Sequence, residues 1–197
     1  MNDARIIDLF VEDRAHEEFI KAMMLRLAET ENKVVRLRIR SARGGHGQAI
    51  ESFVTYQKVL LKGLSDIPDL LVVCIDANCS RFNDAKRSIE AKIEDGFIGR
   101  TVVACPDPHI ERWFMADPES FQQVIGVAAQ PVKKKCERAF YQTILAKAII
   151  GAGHPPTLGG VEFAKEIVDA MDIYRAGRAE PSLGVFINDA VPRIRSL

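Results

Sequence analysis

The spacing of apolar and polar positions predicts strands and helices that alternate through the first half of the chain. Four short apolar runs predict strands over 6–11, 34–40, 69–75 and 101–105. The stretches between them, 14–29, 49–63 and 81–94, predict helices. In the first of these, Phe19, Met23 and Leu27 recur at the four-residue spacing that places side chains on one face of a helix.

Strands that alternate with helices are typical of a mainly parallel sheet with helices on its faces. After Pro106 the strand pattern stops, and helices are predicted over 108–115, 132–150, 160–171 and 183–194. We therefore expect an α/β core over 1–107, Rossmann-like with a four-stranded sheet. A helical extension over 108–197 is expected to pack on this core as part of one structural unit.

Composition limits the class of protein and its location. The chain has 197 residues with 27 basic and 27 acidic side chains, which excludes a generally basic nucleic-acid coat protein. No apolar run approaches the roughly 20 residues of a membrane helix, and the N-terminus does not resemble a signal peptide. The four cysteines include no Cys-x-x-Cys pair, and Cys74 and Cys105 lie inside apolar runs. These features predict a cytoplasmic protein in a reducing compartment.

Acidic residues follow three of the predicted strands. Glu12 and Asp13 follow the first strand, Asp76 ends the third, and Asp107 follows the fourth, with Glu111 one helical turn later. Ligands of open α/β sheets bind at the carboxyl ends of the strands, and clustered carboxylates suit Mg²⁺ or Mn²⁺. Such an ion activates water and neutralises charge in phosphoryl transfer.

Two of these acidic residues, and three further side chains near them in the sequence, have more than one interpretation. Asp13 or Asp76 would serve as an N-cap of the following helix. His16 either orients Glu12, one turn earlier, or is exposed. His109 is a candidate metal ligand or proton shuttle, or it belongs to the start of a helix. Trp113, the single tryptophan, is expected in the core or the wall of a site, with base stacking as the alternative.

Two segments resemble the motifs of Toprim domains. The segment 10–17, FVEDRAHE, resembles their first motif, a strand that ends in Glu before a helix. The segment 72–78, VVCIDAN, resembles their second motif, a strand that ends in Asp-x-Asp. The segment 106–117, PDPHIERWFMAD, is similar to one in small stand-alone Toprim-like proteins of bacterial defence loci. Relatives of those proteins include the overcoming-lysogenisation-defect type nucleases, and the similarity covers about residues 5–120.

The resemblance implies a divalent-metal site with Glu12 as general acid or base and Asp76 as metal ligand. This sequence has Asp13 where the family has Gly, and Asn78 where it has the second Asp. The amide oxygen of Asn78 would still ligate Mg²⁺, but it lacks the negative charge of a carboxylate. Asp107 or Glu111 would supply that charge.

Basic residues alternate along the second predicted strand. Between Asn32 and Gln48 there is no acidic residue, and a glycine-rich loop follows the strand. Three arginines on one face of the strand and a fourth in the loop suit the phosphates of DNA or RNA; these candidate substrate-binding residues are Arg36, Arg38 and Arg40 on the strand and Arg43 in the loop. The alternative is an edge strand that its charges protect from aggregation. The run 133–135 with Arg138 is expected to be a solvated helix face.

Together these observations predict a Mg²⁺- or Mn²⁺-dependent nuclease, with phage defence as its expected setting and an ATPase partner that supplies targeting. Two alternatives stay open. One is a catalytically degenerate nucleic-acid-binding subunit, which Asn78 favours. The other is an enzyme that binds a nucleotide or a phosphorylated metabolite in the same crevice. The sequence leaves the oligomeric state open.

Overall fold

A four-stranded parallel sheet forms the centre of the protein. The computed structural model describes residues 4–42, 46–129, 134, 136–137 and 139–197. All pairings are parallel, in the order β2-β1-β3-β4. The predicted mainly parallel α/β sheet is therefore confirmed, and the strands are β1 (Arg5–Val11), β2 (Val35–Ser41), β3 (Leu70–Cys74) and β4 (Thr101–Ala104).

Three helices connect the strands. They are α1 (Arg14–Thr30), α2 (His46–Leu61) and α3 (Phe82–Glu90). The third is shorter than predicted: the chain turns after Glu90 and forms a single 3₁₀ turn over Asp95–Phe97 before β4.

The C-terminal half is helical, as predicted, but it is divided into shorter helices. Pro118 and Pro181 occupy the first turns of two helices, where a missing backbone N–H costs nothing. Asp172 caps another helix by accepting a hydrogen bond from the N–H of Arg175. In the described part of this half the helices are α4 (Glu111–Phe114), α5 (Pro118–Ile125), α6 (Phe140–Gly151), α7 (Ala164–Ala170), α8 (Ile173–Ala179) and α9 (Pro181–Arg195). Of these, α5 and α8 were not predicted.

Each face of the sheet contributes to its own apolar core. One face presents Ile7, Leu9 and Val11 of β1 to α1 and to the C-terminal helices. The opposite face presents Phe10 of β1 to α2, α3 and neighbouring apolar residues. The C-terminal helices therefore share a hydrophobic core with the sheet.

Two further features concern location. Across the described ranges, no helix combines the length and the apolar character that crossing a membrane requires.

Cys74 and Cys105 are free and buried, as their apolar surroundings predict. Cys79 and Cys136 form a disulfide, which a reducing compartment does not lead one to expect. The cytoplasmic location stays a prediction.

Candidate metal centre

The order of the strands creates a crevice at the carboxyl ends of β1 and β3. From the carboxyl end of β1 the chain passes through α1 on one face of the sheet to β2 on one side. From the carboxyl end of β3 it passes through α3 on the other face to β4 on the opposite side. Neighbouring connections that leave in opposite directions open a crevice between the two strand ends, which is where open α/β sheets bind ligands.

Three side chains with metal-binding atoms converge in this crevice. Glu12 directly follows β1, His16 lies in the first turn of α1, and Asp76 follows β3 by two residues. One potential ligand atom of each lies within 4.8 Å of the others. The backbone N–H of Asp76 also lies 3.4 Å from Oε2 of Glu12. The structure therefore brings together Glu12, the predicted general acid or base, and Asp76, the predicted metal ligand.

A capping interaction places His16 in the group. Asp13 is the N-cap of α1, as one alternative predicted, and its Oδ1 accepts hydrogen bonds from the N–H groups of Ala15 (2.9 Å) and His16 (3.2 Å). The same oxygen lies 2.7 Å from Nδ1 of His16, while Nε2 of that ring lies 2.9 Å from Oδ1 of Asp76. His16 is only 1% exposed, so its exposed alternative is wrong.

His109 holds the second oxygen of Asp76. The loop after β3 is bonded to the loop after β4, because the N–H of Ala77 donates to the carbonyl of Pro106 and that of Asn78 to the carbonyl of Pro108. This arrangement brings Nδ1 of His109 to 2.9 Å from Oδ2 of Asp76. Each carboxylate oxygen of Asp76 thus faces an imidazole nitrogen from a different element.

We call the group of Glu12, His16 and Asp76, together with Asp13 and His109, the cluster. Its electrostatics follow from these contacts. Burial favours the neutral imidazole of His16, but Asp76 and Asp13 outweigh it and hold the pKa of His16 well above its usual range. Burial likewise opposes ionisation of Asp76, yet His16 and His109 lower its pKa. The pKa of Asp13 is lowered to about 2 against the effect of burial, chiefly by its hydrogen bond to His16. The hydrogen bond to Asp76 raises the pKa of His109. Charge-assisted hydrogen bonds therefore run from Asp13 through His16 to Asp76 and on to His109.

The three remaining predicted ligands, Asn78, Glu111 and Asp107, have different surroundings. Asn78 has a left-handed backbone, with φ of 51°, and its Nδ2 lies 3.5 Å from the carbonyl oxygen of Asp76. Glu111 begins α4, two residues after His109, and burial followed by the charge of Asp76 raises its pKa. Asp107 lies elsewhere: its N–H bonds to Oγ of Ser182 (3.3 Å), and it lines a cavity of about 250 Å³ beside the start of α9. Glu111 and Asp107 are not members of the three-residue group.

The predicted arginine face exists on β2, but its members have different surroundings. Arg38 forms a two-pronged ion pair with Asp8, a fully buried carboxylate on β1, with Nη2 2.9 Å from Oδ2. Arg40 lies against Tyr56, with Nε 3.3 Å from the hydroxyl oxygen. Arg36 is exposed, and Arg43 lies outside the described residues.

The pairing of Asp8 with Arg38 was missed by the sequence analysis, although a signal existed. Asp8 is the one charged residue inside the apolar run of β1. In the parallel register it stands directly opposite Arg38. The hydroxyl group of Tyr56 also donates a hydrogen bond to the carboxylate of Asp8. For Arg38, these contacts favour a structural role over the phosphate contact that the sequence suggested.

Two other predicted features have clear positions. Trp113 is fully buried against Phe19 and Phe186, and its Nε1–H donates to Oγ of Ser182 at 2.9 Å. Its assignment to the core is confirmed. Most of the basic run lies outside the described residues, namely Lys133, Lys135 and Arg138, while Lys134 is exposed and pairs with Glu137.

The disulfide lies close to the cluster in sequence. Cys79 is three residues after Asp76, and Cys136 is four residues before the start of α6. With 4.8 Å between their Cα atoms, the bond joins the loop that carries Asp76 to the segment that leads into α6. Since the two cysteines are 57 residues apart, the bond is a long-range constraint on the side of the molecule that carries the cluster.

The donor atoms of the two carboxylates fit a hard divalent cation, because charged oxygen ligands are the ones that Mg²⁺ and Mn²⁺ both accept.

Comparisons with protein-family models, with curated proteins and with solved structures found no match to this chain. The resemblance to Toprim domains therefore stays a prediction, and the case for function depends on the geometry of the cluster.

Proposed function

We propose that this protein is a divalent-metal-dependent phosphodiesterase that cleaves DNA or RNA. The observation that supports this most is the convergence of Glu12 and Asp76 at the carboxyl ends of two neighbouring parallel strands. Their ligand atoms lie within 4.8 Å of one another, in the crevice created by the strand order. Carboxylates this close repel each other unless a cation or proton donors compensate them.

In this proposal the two carboxylates have different roles. Asp76 holds Mn²⁺ or Mg²⁺, with Glu12 as the second ligand and Asn78 and Glu111 as candidate further ligands. Asp107, which lines a different cavity, is not among them. The bound ion supplies Lewis acidity and neutralises charge on the phosphate. Glu12 also accepts the proton of the attacking water through a carboxylate oxygen. Arg36, Arg40 and Arg43 remain the candidate contacts to the nucleic-acid backbone, and an ATPase partner remains the proposed source of targeting.

Metal-dependent cleavage of single- and double-stranded DNA and RNA tests the proposal. Wild type is compared with Glu12→Gln and Asp76→Asn, which remove the charge of one carboxylate and keep its size. Asp66→Asn is the matched control, since the Asp66 side chain is 90% exposed and precedes β3 at the opposite end of the sheet. We expect Mn²⁺-dependent cleavage by wild type and by the control, and a loss of at least 100-fold in both site variants.

Other outcomes separate the alternatives. Salt-dependent nucleic-acid binding without metal-dependent cleavage would identify the degenerate binding subunit. Saturable binding of a nucleotide, with indifference to DNA and RNA, would identify an enzyme for small phosphorylated ligands. Equal cleavage by wild type and by Asp76→Asn would contradict the proposed site.

A further inference from the structure

We propose that His16 is a positioning residue that orients Asp76 toward the metal and is not itself a metal ligand. This inference rests on the metal centre proposed above. Both ring nitrogens of His16 already face carboxylate oxygens, Nδ1 at 2.7 Å from Asp13 and Nε2 at 2.9 Å from Asp76. Ligation through either nitrogen would break one of these hydrogen bonds in a site where the ring is 1% exposed.

The contacts of Asp76 show what needs to be positioned. Asp76 lies beyond the end of β3, where sheet pairing no longer fixes the backbone on both sides. His16 from α1 and His109 from the loop after β4 hold its two oxygens separately, each at 2.9 Å. A carboxylate oxygen has a second lone pair, so an oxygen that accepts from an imidazole still binds a cation. The two rings therefore fix the carboxylate without removing its capacity to ligate.

Asp13 completes the arrangement by fixing His16. Its Oδ1 accepts from the backbone N–H groups of Ala15 and His16 and also faces Nδ1 of the His16 ring. The N-cap of α1 thus sets the orientation of the imidazole. In metal proteins, hydrogen-bond partners of this kind around the ligands affect metal affinity by about 10- to 100-fold.

Binding of Mn²⁺ to the full-length protein tests the proposal without an activity assay. Free Mn²⁺ is followed by electron paramagnetic resonance in titrations of wild type and His16→Gln. His154→Gln is the matched control, because His154 lies in the loop after α6 and contacts Phe163. We expect His16→Gln to weaken Mn²⁺ binding about 10-fold or more and the control to bind like wild type. Unchanged affinity in His16→Gln would overturn the proposal.

Pulsed electron paramagnetic resonance distinguishes positioning from ligation. A directly ligated imidazole nitrogen couples to the Mn²⁺ spin and gives a characteristic modulation. We expect the nitrogen modulation of the bound ion to be the same in wild type and in His16→Gln, measured at saturating Mn²⁺. A modulation that is present in wild type and lost in His16→Gln would make His16 a ligand and overturn the proposal.

Asp13→Asn provides a second variant if His16→Gln does not fold. Asparagine caps helices as well as aspartate, so α1 is retained while the charged link to Nδ1 is removed. We expect several-fold weaker Mn²⁺ binding, and wild-type affinity in this variant would contradict the role of His16.

These results are separable from the proposed function. Weakened Mn²⁺ binding in His16→Gln, with no nucleic-acid cleavage by wild type, would remove the nuclease and keep the positioning role. Cleavage by wild type, with equal Mn²⁺ affinity in wild type and His16→Gln, would keep the nuclease and remove the positioning role. A wild-type protein that binds no Mn²⁺ would overturn the positioning role, and the absence of cleavage with either Mn²⁺ or Mg²⁺ would overturn the proposed function.

Discussion

Nε2 of His16 lies 2.9 Å from Oδ1 of Asp76, although the two residues are 60 positions apart in the chain. This contact joins the first turn of α1 to the loop after β3. Both residues belong to the three-residue group that includes Glu12. The candidate metal centre is thus linked to the packing of a helix against the sheet, and not only to a local sequence motif.

The pair of Arg38 and Asp8 leads to a prediction about stability. Arg38→Met leaves the fully buried carboxylate of Asp8 without its guanidinium partner, so we expect a loss of about 3–5 kcal/mol in the free energy of unfolding. Urea denaturation measures this loss. Arg36→Met is the matched control on the same strand, and because Arg36 is exposed its effect should stay within about 0.5 kcal/mol. Similar values for both variants would contradict the structural role of Arg38.

The same strand yields a prediction about nucleic-acid binding. Arg40 lies opposite Phe10, near the end of β1 that leads to Glu12, whereas Arg36 lies opposite Ile6 near the other end. If the substrate backbone passes the crevice, Arg40→Ala should reduce the salt dependence of binding by about one phosphate contact. Fluorescence anisotropy over a range of salt concentrations checks this. Arg193→Ala, on the last turn of α9, is the control and should keep the wild-type slope.

Asp117 makes stability depend on pH. Burial alone would raise its pKa, but Arg175, Ser120 and the N–H of Asp172 lower it to about 2 from the ordinary 3.8. A carboxyl group with a lowered pKa in the folded state stabilises the protein above its unfolded pKa. We expect this stabilisation, on the order of 2 kcal/mol, to be present above about pH 4 and lost as the pH falls through about 2.

Chemical denaturation at a series of pH values checks this expectation. Asp117→Asn should be less stable than wild type at neutral pH, and its free energy of unfolding should fall less between pH 4 and pH 2. The assignment would be wrong if the variant and wild type lost stability in parallel over that range.

Two glycines allow α8 and α9 to approach closely. A Cβ at Gly184 would lie 2.6 Å from the backbone oxygen of Gly177, and backbone on both sides leaves no flexible group to yield. Gly184→Ala should therefore destabilise the protein by about 1–3 kcal/mol, measured by thermal unfolding. Gly151→Ala is the control: a Cβ there meets nothing within 4 Å, and no loss of stability is expected. Equal melting temperatures would show that the two helices separate without cost.

Much of the fold was predictable because its signals are local. The apolar runs of β1 and β3, the helical spacing in α1 and the acids at the strand ends all lie within short segments. The positions of Glu12 and Asp13 were predicted correctly because both acids lie between a strand and a helix whose local signals are clear. The extra division of the C-terminal half was also signalled locally, by Pro118 and Pro181, but the longer apolar patterns concealed it.

Contacts between distant segments could not be predicted in this way. The sequence by itself determined that α/β elements alternate and that carboxylates end the strands, since both follow from side-chain periodicity and local backbone preference. Only the tertiary structure decided that Asp8 neutralises Arg38, that His16 is buried, and that His16 and His109 both reach Asp76. These contacts depend on the strand order and on how separate loops pack together. The charge of a buried side chain is compensated by groups from distant segments, which local sequence patterns do not reveal.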